Sequence, residues 1–275
     1  MKSNGVGVIY PLSVLLEKGA ESLTNLGLNC VQLGCWDSTI LTADNAKKAI
    51  KILEEQKIRC SSVWAGWSGP AVWDSIDGPL TLGLVPEAYR FIRMKELIIA
   101  ADFAALAGSP NIVTHVGFIP ENPSLPGYRE VVQSVRHVAL YCKKLGLDFN
   151  FETGQETPTT LMRTINDIGL DNVGINLDPA NLICYGRGNP IDALDIFDGY
   201  IRGVHIKDAD YPKDDFYKLG AERPVGEGSV NFSVFLPKLL SKGYTGDLYI
   251  EREIEGEQQI KDIKMAIEVV RSHLK

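Results

Sequence analysis

Four short apolar segments in the second half of the chain each end in, or contain, a residue that can bind a metal ion or carry a proton. In chain order these residues are Glu152, Asp178, His205 and Glu251. They are 26, 27 and 46 residues apart, and each interval is long enough for a helix that returns the chain to the next parallel strand. The spacing therefore predicts parallel strands alternating with helices, with polar groups at the ends of the strands.

The same alternation extends over the whole chain. Apolar runs of strand length recur between amphipathic helical runs, without a linker or a compositional break. The chain has 275 residues, close to the roughly 250 of a (β/α)8 barrel. The sequence thus predicts an α/β fold, a single (β/α)8 TIM barrel domain over residues 1–275. Its predicted strands are residues 6–10, 30–34, 58–64, 111–116, 147–152, 173–178, 201–206 and 248–251.

All strands of such a barrel end at one face, and the active sites of these barrels lie at that face. The four strand-end residues should therefore lie close together. Three carboxylates and one imidazole are hard or borderline ligands that suit a divalent cation. The sequence predicts a metal site formed by Glu152, Asp178, His205 and Glu251.

The composition is that of an ordinary globular protein, with 45% hydrophobic and 23% charged residues. A net charge of −7 argues against nucleic acid or an anionic membrane surface as a partner. We find no apolar run with the length of a membrane span or a signal peptide. The five cysteines are scattered and form no Cys-x-x-Cys motif. A reducing, cytoplasmic compartment is the expectation that follows.

A long connection rich in glycine, proline and tryptophan follows the third predicted strand, over residues 65–85. Loops longer than about 12–15 residues in a compact domain are usually functional or disordered. Trp64, Trp67 and Trp73 lie in or beside this connection, and three indoles favour an ordered structure. The tryptophans either pack against the barrel or form a lid over a bound ligand, with Trp67 nearest to it.

Two other polar residues have alternative interpretations. His115 closes the fourth predicted strand and either caps it or contacts a substrate. Arg223 lies in the second long loop, residues 208–228, and is either a solvated charge or a contact for an oxyanion or hydroxyl group. The sequence around Gly226 and Gly228 lacks the preceding strand that a nucleotide-binding loop requires.

These segments resemble the xylose-isomerase-like barrel superfamily, the sugar phosphate isomerase and epimerase group that includes the ketose 3-epimerases. The resemblance covers essentially the whole chain. It implies that the metal ligands are Glu152, Asp178, His205 and Glu251. Several ketose epimerases place a substrate-contacting histidine three residues after the aspartate ligand, whereas this chain has Asn181. The motifs that carry the resemblance are residues 151–154, 176–182, 204–208, 223–228 and 250–251.

The resemblance also implies an activity, namely isomerisation or epimerisation of a ketose or ketose phosphate. Glu152 and Glu251 would transfer protons at a carbon beside a ketone, through an enediolate stabilised by one divalent metal ion. The oxygen-rich ligand set suits Mn²⁺ or Mg²⁺, with Co²⁺ and Zn²⁺ as alternatives. A small sugar is the expected partner, and the family suggests a homodimer or homotetramer. Expected substrate-binding residues are His115, Asn181, Lys207, Arg223, Trp64 and Trp67.

Other functions use parts of the same pattern. A metal-dependent dehydratase, or lyase, of an inosose-like polyol ketone would need the same ligands and the same enediolate. A DNA-repair endonuclease on this fold would need a histidine-rich cluster of several zinc ions, whereas this acidic chain has only four histidines. A sugar-binding barrel without catalytic activity would not need four metal ligands.

Overall fold

Eight parallel strands close into a barrel in the computed structural model, which describes residues 4–274. The barrel strands are β1 (Val6–Pro11), β2 (Cys30–Cys35), β3 (Arg59–Ala65), β4 (Asn111–Thr114), β5 (Asp148–Glu152), β6 (Val173–Leu177), β7 (Ile201–Ile206) and β10 (Asp247–Ile250). The strands β8 (Asp208–Ala209) and β9 (Glu222–Arg223) form a separate antiparallel pair. The order around the barrel is β1-β10-β7-β6-β5-β4-β3-β2. The predicted (β/α)8 barrel is confirmed.

Helices connect the barrel strands and cover the outside of the barrel. None of the helices within residues 4–274 is long and apolar enough to cross a membrane. Their bounds are α1 (Leu12–Lys18), α2 (Glu21–Asn25), α3 (Ala43–Glu55), α4 (Gly78–Thr81), α5 (Glu87–Leu106), α6 (Pro126–Lys144), α7 (Pro158–Ile168), α8 (Pro179–Cys184), α9 (Pro190–Ile196), α10 (Phe232–Ser241) and α11 (Glu257–His273), with a 3-10 turn at Ser38–Ile40.

Local sequence explains where these helices begin and which face they bury. Thr42 begins α3 because its hydroxyl accepts a hydrogen bond from the Asn45 N–H group. Ala46, Ala49 and Leu53 recur at helical spacing on the buried face of α3. The connection between β1 and β2 contains two short helices, α1 and α2. Gly19 separates them with a φ of 76°, a left-handed conformation that ends α1.

The barrel interior contains a group of buried polar side chains contributed by β2 to β6. Barrel interiors are usually filled by branched apolar side chains, so this group is unusual. Glycines on neighbouring strands make room for two of the amides: a Cβ atom at Gly174 would lie 2.7 Å from Asn150 Oδ1, and one at Gly203 would lie 2.5 Å from Asn176 Oδ1. Asn150 and Asn176 lie two residues before Glu152 and Asp178, on the same strand faces. The members of the group are Gln32, Ser62, Asn111, Asn150 and Asn176.

Candidate metal centre and cavity

The structure brings the four strand-end residues together at the carboxyl end of the barrel. Each offers one ligand atom, and these four atoms lie within 4.8 Å of one another. His205 Nδ1 lies 3.0 Å from Glu251 Oε2, 3.2 Å from Glu152 Oε1 and 3.5 Å from Asp178 Oδ2. Ligand atoms held about 2.1 Å from one ion in a tetrahedral or octahedral arrangement are about 3.0–3.4 Å apart. The observed separations therefore fit a single divalent cation.

Unpaired buried atoms support the same fit. His205 Nδ1, Asp178 Oδ2 and Glu251 Oε2 are buried and have no hydrogen-bond partner among the described residues. A buried polar atom without a partner costs about 1–3 kcal/mol, and here three such atoms face a common point. The other oxygen of Asp178 begins α8 by accepting a hydrogen bond from the Asn181 N–H group. This bond fixes the carboxylate with one oxygen directed at the cluster.

Charges within the cluster shift the pKa values of its members in different directions. Burial alone would raise the pKa of Glu251, but Lys207 and His205 lower it to about 2. Burial would likewise raise the pKa of Glu152, yet His115 and His205 hold it well below its ordinary value. For Asp178 burial dominates and raises the pKa to about 6. Glu152 and Glu251 are therefore ionised at neutral pH, the form in which a carboxylate binds a metal or accepts a proton.

Lys207 is a buried cation beside the cluster. Its Nζ atom lies 3.0 Å from Glu253 Oε1, 3.4 Å from Glu251 Oε2 and 3.9 Å from Asp178 Oδ2. Burial opposes the charge on this amine, but Glu251 and Glu253 raise the pKa of Lys207 well above its ordinary value. Lys207 stays protonated and partly neutralises the carboxylates.

Three of the expected substrate-binding residues surround Glu152. Trp64 Nε1–H donates a hydrogen bond to Glu152 Oε2. Asn181 Nδ2 donates to Glu152 Oε1 at 3.4 Å, and His115 Nε2 lies 3.3 Å from the same oxygen. These contacts hold the carboxylate of Glu152 in one orientation.

These residues line a cavity of about 580 Å³, within the roughly 300–1,000 Å³ range of small-molecule sites. Glu152, Glu251 and Lys207 line it together with Trp64, His115 and Asn181. Further lining residues, which the sequence did not single out, include Trp36, Tyr185, Leu219, Glu222 and Glu253. Trp73, in the loop that follows β3, also contributes to the wall.

The structure places Trp67 and Arg223 elsewhere, and neither is among the residues that line the cavity. Trp67 is 3% exposed, and its Nε1–H group donates to the backbone oxygen of His115 at 3.3 Å. The guanidinium of Arg93 lies 4.1 Å from the centre of the Trp67 ring, on the buried side of the loop. Arg223, on β9, is half exposed and pairs with Asp210 at 3.0 Å. Trp67 therefore packs behind the cavity wall, and Arg223 points away from it.

All four tryptophans of the chain form one cluster at the mouth of the barrel. The Trp36 ring centre lies 4.9 Å from that of Trp64, 5.4 Å from that of Trp67 and 6.2 Å from that of Trp73. Trp73 in turn packs edge-on against His115 at 5.2 Å. The tryptophan-rich loop is thus an ordered wall, and Trp36, which directly follows β2, joins it.

Gln155 and Glu156 form a second buried polar group, on the connection after β5. Both amide atoms of Gln155 and Oε1 of Glu156 lack a hydrogen-bond partner among the described residues. Burial raises the pKa of Glu156 to about 7, although the nearby charges of His115 and Arg187 partly oppose this rise. In the sequence, only their closeness to Glu152 connects Gln155 and Glu156 with the site.

The model of the xylose isomerase-like TIM barrel family matches residues 20–273. The chain belongs to this family. A xylose isomerase domain protein from Planctomyces limnophilus superimposes with a TM-score of 0.93 at 33% identity, over 99% of this chain and 98% of that one. An uncharacterized protein of Methanocaldococcus jannaschii is 26% identical over 98% of this chain and 88% of its own length. D-psicose 3-epimerase from Clostridium cellulolyticum H10, solved with D-tagatose, shares the fold with a TM-score of 0.74 at 13% identity, over 98% of this chain and 99% of that one.

Proposed function

We propose that this protein is a divalent-metal-dependent sugar isomerase that epimerises a ketose or ketose phosphate by proton transfer. The observation that carries the proposal is that Glu152 and Glu251, which line the cavity, converge with the fully buried Asp178 and His205. The membership of the xylose isomerase-like family and the fold shared with a D-psicose 3-epimerase support this reaction class.

The donor set fits one divalent cation, with Mn²⁺ and Mg²⁺ preferred and Co²⁺ and Zn²⁺ as alternatives. Three carboxylates and one imidazole are hard to borderline ligands. When bound, the ion would act as a Lewis acid that polarises a carbonyl and stabilises negative charge on an enediolate.

Glu152 and Glu251 would perform the proton transfer from two sides of the substrate. They come from β5 and β10, with β6 and β7 between them in the barrel order. Epimerisation requires one carboxylate to accept a proton from one face of a carbon while the other delivers a proton to the opposite face. The hydrogen bonds from Trp64 and Asn181 would keep Glu152 in position for this step.

The remaining polar residues of the cavity would orient the sugar. His115, Asn181 and Lys207 present hydrogen-bonding groups to the cavity beside Glu152 and Glu251. Trp64 and Trp73 would supply apolar surface for the sugar carbons. We assign Trp67 an indirect role, since it bonds to the His115 carbonyl from behind the wall. Arg223 would contact a substrate only after its pair with Asp210 opens.

The test is a substrate screen with protein that has been stripped of metal and reloaded with Mn²⁺ or Mg²⁺. Free ketoses, ketose phosphates and inosose-like polyol ketones are incubated in deuterated water and followed by NMR. Deuterium at one carbon together with an inverted product indicates epimerisation, an aldose product indicates isomerisation, and loss of water indicates the dehydratase. Size-exclusion chromatography with light scattering tests the dimer or tetramer that the family suggests.

Variants of the two glutamates test the mechanism. Glu152→Gln and Glu251→Gln keep an oxygen ligand but cannot accept a proton, so each should lower turnover by about 10²–10⁴-fold. Glu54→Gln is the control for the loss of one carboxylate, because Glu54 is exposed on α3 and does not line the cavity. Near-normal turnover in both glutamate variants would refute the two-base mechanism.

A further inference from the structure

The two ring nitrogens of His205 have different environments. Nδ1 faces Glu152, Asp178 and Glu251, whereas Nε2 lies 2.7 Å from Gln32 Oε1 in the barrel interior. Both His205 and Gln32 are completely buried. An amide oxygen can only accept a hydrogen bond, so Nε2 must carry the hydrogen in this contact. The neutral ring then has its lone pair on Nδ1, directed at the three carboxylates.

This assignment depends on the orientation of the Gln32 amide, which its other contacts define. We call Gln32, Ser62 and Asn111 the interior relay. Gln32 Nε2 donates to Ser62 Oγ at 3.0 Å, and Ser62 Oγ donates to Asn111 Oδ1 at 2.7 Å. Asn111 Nδ2 donates to the backbone oxygen of Ser61 at 3.5 Å. A backbone carbonyl can only accept, so the Asn111 group that faces Ser61 must be the amide nitrogen. Asn111 Oδ1 then accepts the Ser62 hydroxyl hydrogen, and the Ser62 oxygen accepts from Gln32 Nε2.

A further contact favours the same amide orientation. Gln32 Nε2 also lies 3.4 Å from Asn176 Oδ1, and the opposite rotamer would bring two amide oxygens together there. Gln32 Oε1 therefore faces His205 because Ser62 on β3 and Asn176 on β6 hold the amide nitrogen on the other side.

We propose that Gln32 is a positioning residue of the metal centre: it holds the His205 ring in place and keeps Nδ1 free to bind the cation. This inference rests on the metal site of the proposed function. Histidine ligands commonly donate their second N–H group to a neighbouring acceptor, and loss of that acceptor typically weakens metal binding by about 10–100-fold. Here the acceptor comes from β2, separated from β7 by β1 and β10 in the barrel order.

The test is calorimetric titration of Mn²⁺ into the chelator-stripped full-length protein. Gln32→Leu removes the acceptor oxygen and should weaken Mn²⁺ binding by about 10–100-fold. Gln32→Glu keeps an acceptor oxygen and should restore most of the affinity. Ser62→Ala leaves Gln32 in place but removes one partner of its amide nitrogen, so it should weaken binding in the same direction by a smaller factor.

A control separates positioning from general stability. Asn172 is also a buried amide, and its Nδ2 group donates to the backbone oxygens of Ala139 and Leu147 at 2.9 and 3.0 Å. Asn172→Leu should lower the melting temperature but leave Mn²⁺ affinity unchanged. If Gln32→Leu fails to fold, the comparison of Ser62→Ala with Asn172→Leu provides the same test.

A spectroscopic measurement reports on the ring itself. Long-range ¹H–¹⁵N spectra of the Mg²⁺-loaded protein should show a protonated Nε2 in His205, with its resonance shifted in Gln32→Leu. Wild-type affinity in both Gln32→Leu and Ser62→Ala, or an unprotonated Nε2 in the wild type, would overturn the role of Gln32 while leaving the metal centre intact. Absence of Mn²⁺ binding in the wild type would instead refute the metal centre, and this inference with it.

Discussion

Replacement of Glu156 by glutamine should stabilise the protein, and the gain should grow with pH. Glu156 is 3% exposed, and its Oε1 atom has no hydrogen-bond partner among the described residues. Burial raises the pKa of this carboxyl from an ordinary value of 4.5 to about 7, despite the opposing charges of His115 and Arg187. The folded protein therefore disfavours the ionised form of Glu156, and glutamine removes that cost with little change in shape.

The direction and size of the effect follow from the two pKa values. Below pH 4.5 the carboxyl of Glu156 is neutral in both the folded and the unfolded protein, so it contributes no pH dependence. Between pH 4.5 and about 7 the unfolded chain loses the proton while the folded protein keeps it, and stability falls as pH rises. Above about pH 7 the carboxyl of Glu156 is ionised in both the folded and the unfolded protein, and the loss of stability no longer changes with pH. At about 1.4 kcal/mol for each pH unit, the full penalty is about 3 kcal/mol.

The assay is urea unfolding of the chelator-stripped wild type and Glu156→Gln at several pH values. The difference in free energy of unfolding between the two proteins should increase by about 2–3 kcal/mol from pH 5 to pH 8. Glu54→Gln, which removes an exposed carboxyl on α3, controls for the loss of one charge and should give no such increase. A constant difference across this range, or a variant that is less stable than the wild type at pH 8, would refute the reasoning.

The double variant Asp178→Ala, His205→Ala should lose stoichiometric metal, because it removes two of the four clustered donor atoms; elemental analysis after dialysis checks this. Arg93→Met should lower the free energy of unfolding by about 3–5 kcal/mol, since the buried guanidinium donates to four backbone carbonyls; urea unfolding measures it. Asp208→Ala should lower the free energy of unfolding by about 2–4 kcal/mol, since the Asp208 carboxylate accepts from four backbone N–H groups. Hydrogen exchange of the backbone amides in residues 226–230 should accelerate.

The sequence by itself determined the barrel and the set of clustered side chains. In a parallel barrel every strand ends at the same face, so local strand patterns are sufficient to place their last residues together. Glu152 ends β5, Asp178 directly follows β6, His205 lies near the end of β7 and Glu251 directly follows β10. The order of the barrel strands then carries them to one point without any information about loops.

Only the tertiary structure decided which other residues share the site. Trp67 and Trp73 lie in the same loop, but Arg93 covers the Trp67 ring from the buried side, while Trp73 lines the cavity. No local pattern in the sequence distinguishes the two tryptophans, since the direction of a loop side chain depends on what packs behind it.

The hydrogen bond between Gln32 and His205 could not be predicted from the sequence either. It joins two residues that are 173 positions apart in the chain, and it crosses the inside of the barrel. Strand periodicity predicts that each side chain points inward, but not which inward side chains meet. That depends on the relative stagger of strands around the closed barrel and on the space left by glycines such as Gly203. The ligands of the proposed metal centre were therefore predictable from the sequence, whereas the groups that orient them became visible only once the barrel had closed.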